Sequence, residues 1–124
     1  MPGPIDFSIP AEDATTIAER VLAESIAEAR AAGSYVSVQA VWLDLNDDGL
    51  ADIVGELGSI YLCGGVAPCF FVIENRGGDE YLHVFSVPGV LEVTVPGTRT
   101  NGWYDLVFNE TTQWRWSGAT YSAE

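Results

Sequence analysis

Lysine is absent from this chain, histidine and methionine occur once each, and cysteine occurs twice. Without lysine, five arginines stand against 18 acidic residues and give a formal net charge of −13. Such a surface repels nucleic-acid phosphates and anionic lipid, which excludes both as partners and leaves cations or a basic protein. Adaptation to high salt is a secondary explanation of the same imbalance. One histidine, His83, and two cysteines fall short of a zinc site. Long apolar runs are also missing: none approaches the roughly 18 residues a membrane span needs, so no membrane insertion is expected. The opening Met-Pro-Gly-Pro-Ile-Asp has neither the basic nor the apolar region of a signal peptide.

What is present is enough apolar material for a core. The chain has 124 residues, 48% of them hydrophobic, and no linker divides it, so residues 1–124 are expected to fold as a single domain. Cys63 and Cys69 flank the turn-rich Gly-Gly-Val-Ala-Pro, short enough to bring the sulfurs together as a disulfide. A disulfide implies an oxidising compartment. The expectation is a secreted or periplasmic protein without its leader, with a cytoplasmic origin left open.

Residues 1–8 read as a lead-in. Residues 9–32 carry a helical pattern: Ala14, Ile17, Ala18, Val21, Leu22, Ile26 and Ala29 gather on one side, with acids and arginines on the other. Ser8 or Ile9 is the expected cap, Pro10 suits the first turn and Gly33 the stop. From 35 to 122 the period is two, broken by Gly, Pro and Asn. Strands are expected near 35–44, 52–57, 69–75, 80–87, 90–95, 103–109, 112–117 and 119–122. The predicted fold is α+β: one N-terminal amphipathic helix packed on an antiparallel, hairpin-rich sheet, a curved meander or small barrel.

Residues 44–52 read Asp-Leu-Asn-Asp-Asp-Gly-Leu-Ala-Asp. Calcium loops place oxygen ligands at positions one, three, five, seven and nine, with glycine at six. Here these are Asp44, Asn46, Asp48, the Leu50 carbonyl and Asp52, with Gly49 at the turn. Clustered oxygens around a flexible loop suit Ca2+ better than the smaller, strictly octahedral Mg2+. A helix-loop-helix site adds glutamate at position twelve, but Gly55 stands there, and the flanks Val-Trp-Leu and Ile-Val-Gly are strand-like. The segment from about 40 to 57 resembles the calcium hairpin of FG-GAP and VCBS-type repeats of extracellular proteins. That resemblance implies a loop joining two antiparallel strands and a modest, structural calcium site. The alternative is an Asx-rich hairpin turn with solvated carboxylates. The remainder looks similar to small secreted or periplasmic bacterial domains without a common activity, through the Cys-Gly-Gly turn and the closing Trp114, Trp116, Gly118 and Tyr121.

An internal echo accompanies the loop. Asp48-Gly-Leu-Ala-Asp52-Ile-Val lines up with Asn101-Gly-Trp-Tyr-Asp105-Leu-Val. Gly97 and Arg99 replace Asp44 and Asn46, so the second copy should keep the turn without the metal, with Arg99 neutralising Asp105. His83 shares an expected strand face with Tyr81 and Phe85 and suggests a half-buried sheet residue rather than a catalytic base. Carboxylate pairs Asp52/Glu56 and Asp79/Glu80 are the candidates for glycosidase-type chemistry. Trp103, Trp114 and Trp116 are either core or an exposed binding platform. No catalytic residue is assigned. The functional expectation is a non-enzymatic, calcium-stabilised binding or inhibitor module with an acidic surface for a basic protein. The alternatives are a carboxylate-based hydrolase or carbohydrate-active domain, and a structural part of a surface assembly.

Overall fold

The computed structural model describes residues 3–65 and 67–123. In chain order the elements are β1 (Gly3–Pro4), α1 (Glu12–Val21), α2 (Ala23–Ala31), β2 (Ser37–Leu43), β3 (Asp52–Gly58), α3 (Ile60–Cys63), β4 (Cys69–Asn75) and β5 (Tyr81–Val87). Then follow β6 (Val93–Val95), β7 (Arg99–Thr100), β8 (Trp103–Tyr104), β9 (Leu106–Phe108), β10 (Thr112–Trp116) and β11 (Tyr121–Ala123). The α+β class stands, but the strands form two stacked antiparallel sheets and a small ribbon. One sheet runs β2-β3-β4-β5, the other β1-β6-β9-β10-β11, and β7-β8 make the ribbon.

The expected single curved meander or barrel under one helix is therefore incorrect, and the composition of β3 and β4 explains why. Side chains alternate between faces along a strand, yet β4 is apolar at every position from Phe70 to Ile73. Phe71 and Ile73 meet Ala14, Ala18, Leu22 and Ile26 of the helices, together with Ile53 and Leu57. Phe70 and Val72 face the opposite way, with Val54 and Phe85, against Val93, Leu106, Phe108 and Trp116. A sheet apolar on both faces needs cover on both, and the five-stranded sheet supplies the second layer. Of the tryptophans in question, Trp103 of the ribbon and Trp116 stack at 3.8 Å and are both buried, so this pair is core, while Trp114 is partly buried against the same cluster.

The single helix over 9–32 is likewise corrected to two short ones. At Leu22 the backbone turns to φ −96°, ψ 13°, ending α1 and starting α2. Leu22 N–H still donates to the Ala18 carbonyl and Ile26 N–H to Leu22, so the break is a bend that keeps both apolar stripes on the sheet. The start also differs. Helix α1 begins at Glu12 with Ala11 as its cap residue and no side-chain cap. Ala11 N–H reaches the Ala40 carbonyl instead, and Asp13 accepts from its neighbour Ala14 N–H and from Trp42 Nε1. At the far end Gly33, at φ 82°, closes the helix through Ser34 N–H to the Ala29 carbonyl.

The first two residues of the expected lead-in lie outside the described residues; the rest of it is structured. Gly3 and Pro4 pair with Val95 and Thr94, and Phe7 is buried beside Phe70. A register shift between Val72 and Ile73 marks a bulge opposite Val84. It separates His83, paired with Ile73, from Phe85, which enters the inter-sheet core. His83 therefore does not share its face with Phe85. Cys63 and Cys69 are joined by a disulfide with Cα atoms 5.4 Å apart, tying α3 to the start of β4.

Gly55 is the tightest point of the middle layer. A Cβ there would stand 2.4 Å from Phe71 Cζ and 2.6 Å from the Gln39 carbonyl oxygen. Gly55→Ala is expected to destabilise the fold by about 1–3 kcal/mol through overpacking. Urea unfolding checks this: an unchanged midpoint would show that the Phe71 ring can move aside.

Candidate metal-binding loop

Antiparallel pairing of β2 with β3 ends at Leu43↔Asp52, so residues 44–51 form the connecting loop. Its inward anchor is Leu45, fully buried in the inter-sheet core. Fixing Leu45 inward fixes its backbone: its N–H donates to Asp52 Oδ2 at 3.0 Å, and its carbonyl accepts from Tyr104 N–H at 2.8 Å. Asp52 is wholly buried. Its other oxygen accepts from Asn75 N–H at 2.9 Å, while Asn75 Nδ2 donates to the Ala51 carbonyl. One carboxylate thus braces both ends of the loop and the end of β4.

Around this brace the remaining acids close the turn on itself. Asp44 Oδ2 accepts from Gly49 N–H at 3.1 Å, across the loop, and Asp48 Oδ1 from Leu50 N–H at 2.9 Å, the latter an Asx-turn bond. Asp47 adopts φ 56°, and its carboxylate takes the Arg99 guanidinium at 3.1 Å. Two oxygens are left over. Asp44 Oδ1 and Asn46 Oδ1 are buried and have no hydrogen-bond donor. An unpartnered buried acceptor costs about 1–3 kcal/mol, and here two belong to positions one and three of the calcium pattern. Burial raises the Asp52 pKa to about 6, and the nearby Asp48 and Asp44 push it the same way against its two backbone bonds.

The five expected ligand residues fall into distinct situations. Asp44 and Asn46 offer unpartnered oxygens, Asp48 has one oxygen engaged, and both Asp52 oxygens already accept N–H bonds. Leu50 is exposed at the loop. Among the described residues, no group of three or more His, Cys, Asp and Glu side chains is placed to hold a metal ion. The donor set that remains is made of oxygens alone, with an amide and a backbone carbonyl beside the carboxylates, which fits a hard cation and excludes a soft one.

The echoed hairpin solves the same problem differently. Asn101 at φ 54° and Gly102 at φ 86° make a two-residue turn between β7 and β8. Asp105 is buried like Asp52, but accepts from Thr98 Oγ1 at 2.6 Å, Thr100 Oγ1 at 2.8 Å and Gln113 Nε2 at 3.3 Å. Arg99 does not neutralise it; the guanidinium crosses to Asp47 in the first loop and lies over the Tyr104 ring. Tyr121 lies under both hairpins. Burial first, then Asp105 and Asp52, raises its phenol pKa, and its hydroxyl donates to the Tyr104 carbonyl.

Of the other candidates, Asp52 and Glu56 sit four residues apart on one strand. That spacing is about 13 Å, wider than the roughly 5–9.5 Å between glycosidase carboxylates. Asp79 and Glu80 lie in the exposed turn before β5. His83 Nε2 lies 3.2 Å from the Phe85 carbonyl. Reading the motif alone misses Leu45, Asn75 and Tyr104, whose backbone groups hold the loop. The echo pointed to Asp105 but not to its threonines. No protein-family profile matches the chain, and neither a curated protein nor a solved structure matches it significantly.

The raised Asp52 pKa has a definite sign. Without a cation, the folded state holds a proton on Asp52 that the unfolded chain releases near pH 4, so the Asp52 contribution to stability is greatest below that pH. It falls as pH rises through about 6. Glu56, also raised by burial, adds to the slope. Melting in chelator across pH 4–7 measures it, and a flat or rising Asp52 contribution, isolated by comparison with Asp52→Asn, would contradict the burial argument.

Proposed function

We propose that this chain is a non-enzymatic, calcium-stabilised domain of a secreted or periplasmic protein, whose acidic surface receives a basic protein partner. The observation that carries the metal reading is the pair of buried, unpartnered oxygens on Asp44 and Asn46. They stand beside a buried carboxylate whose neighbours repel its charge. Asp44, Asn46 and Asp48 would hold the ion with the Leu50 carbonyl, and Asp52 can contribute because each carboxylate oxygen keeps a second lone pair. Calcium bound there supplies the positive charge that offsets three clustered carboxylates. The likeness to FG-GAP and VCBS-type hairpins supports the same ligands. With Gly55 rather than glutamate at position twelve, affinity belongs to the weak range of extracellular modules, and the role is structural.

The partner reading rests on charge. Eighteen acids against five arginines leave a strongly negative exterior, and two of the arginines, Arg76 and Arg99, are bound to Glu74 and Asp47. Such a field accelerates encounter with a basic protein and weakens as salt screens it. The disulfide favours an oxidising compartment. A second reading has its own observation. Asp44 and Asp48 accept the backbone N–H groups of Gly49 and Leu50 and so close the loop without any ion, which makes it a plain hairpin turn.

Melting with calcium, magnesium or chelator separates the two. Calcium at a hundredfold excess over Kd is expected to add about 2.7 kcal/mol, magnesium far less, and Asp44→Asn should abolish the response. No calcium-specific gain in the wild type leaves only the turn. For the partner, capture from a periplasmic or culture extract should yield a basic protein whose complex dissolves as ionic strength rises; capture insensitive to salt counts against the charge-steered reading.

A further inference from the structure

At the end of the four-stranded sheet opposite the acidic loop lies a cavity of about 140 Å³ on the helix side. Its apolar wall is Leu22, Leu57, Leu62 and Phe71, and its polar groups are Ser25, His83 and Ser86. It lies beside the bend between the two helices, at Leu22. Helix α1 packs chiefly over β2, the bend at Leu22 carries α2 towards α3, and serines stand at 25 and 86 where larger side chains would fill the gap. The walls are held in place. Ser59 caps α3 by accepting from Leu62 N–H, and the Cys63–Cys69 disulfide ties α3 to the strand whose Phe71 lines the cavity. Gly55 gives the Phe71 ring its close approach to β3.

We propose that this cavity binds a neutral, single-ring molecule bearing one hydroxyl, of the phenol class, with the ring against Leu57, Leu62 and Phe71 and the hydroxyl at His83 and Ser86. Size is the first guide: the pocket is open on one side, and its volume of about 140 Å³ is close to that which holds one benzene ring. Charge is the second. None of the lining residues carries a formal charge at neutral pH: no arginine awaits an anion and no carboxylate awaits a cation. The overall field of −13 further disfavours anions. His83 supplies the polar discrimination. Desolvation lowers its pKa, against the opposing bond to Phe85, and so favours the neutral imidazole. With Nε2–H donating to the Phe85 carbonyl, Nδ1 is left as an acceptor for a ligand hydroxyl. The site does not depend on the calcium reading, because it lies at the other end of the sheet.

Nitrogen-15 amide spectra during titration with phenol, toluene and benzoate test the assignment, each in calcium and in chelator. Phenol should give saturable shifts at Leu57, Leu62, Phe71, His83 and Ser86 in both conditions, binding about five- to tenfold tighter than toluene, with benzoate not binding. Ser25→Trp, an exposed position at the cavity, should weaken phenol by at least about tenfold; Ser86→Phe closes the opposite wall if the first variant misfolds. His83→Phe should narrow the difference between phenol and toluene, with Ser86 left as the remaining hydroxyl partner. Absence of saturable shifts, unaltered phenol binding in a folded plugged variant, equal binding of phenol and toluene by the wild type, or equal binding of benzoate overturns the proposal.

Discussion

The middle sheet must be dry on both faces, and the rest of the molecule follows from that requirement. Ile53, Val54, Phe70, Phe71, Val72 and Ile73 occupy successive, oppositely pointing positions of β3 and β4 and are almost fully buried. Burial of apolar surface contributes about 25 cal/mol per Å², so leaving either face in water would forfeit much of the core. The helices cover one face and bend at Leu22 to do so. The second sheet covers the other, and recruits Gly3 and Pro4 as an edge strand. The pocket beside Ser25 and Ser86 lies next to that bend.

The same packing explains why the acidic loop has the form it has. Leu45 enters the inter-sheet core and drags the backbone inward, which buries Asp52 as its hydrogen-bond partner. Alternate residues then face the other way, so Asp44, Asn46 and Asp48 are set apart from the core by position rather than by polarity alone. Gly55, which a helix-loop-helix site would replace with glutamate, lies between Phe71 and Gln39 with no room for a side chain. A hairpin emerging from a doubly packed sheet cannot carry that twelfth ligand.

Much of this was legible in the residues, unevenly. Strand positions from β2 to β5 follow the β-branched and aromatic runs and the turn residues between them closely. The disulfide was legible from a short, turn-rich spacing. The helix boundary was not: amphipathic period persists through Leu22, and the bend is imposed by the sheet beneath. The second layer was missed because short strands such as β6 and β9 carry too few residues to state which sheet they join. The continuous apolar run at Phe70–Ile73 did hold that information, since a strand apolar on both faces demands two covers. At the loop, the turn and its oxygen-bearing side chains were readable from spacing, whereas the brace was not, because it runs through backbone groups of Leu45, Asn75 and Tyr104. Arg99 was misassigned for a related reason. Charge suggested Asp105, but hydroxyls from Thr98 and Thr100 had already satisfied that carboxylate.

Asp52 and Asp105 form a natural comparison within one chain. Both are buried aspartates in echoed sequence, seven positions after a residue that donates to them, Leu45 through its backbone and Thr98 through its hydroxyl. Asp105 is surrounded by neutral donors and by no orphaned acceptor. Asp52 also receives two donors, but Asp44 and Asp48 stand near enough to raise its pKa, and two neighbouring oxygens lack any partner. Hydroxyl and amide donors satisfy one isolated carboxylate; they do not offset the mutual repulsion of three. That difference in charge, rather than turn geometry, distinguishes the two hairpins.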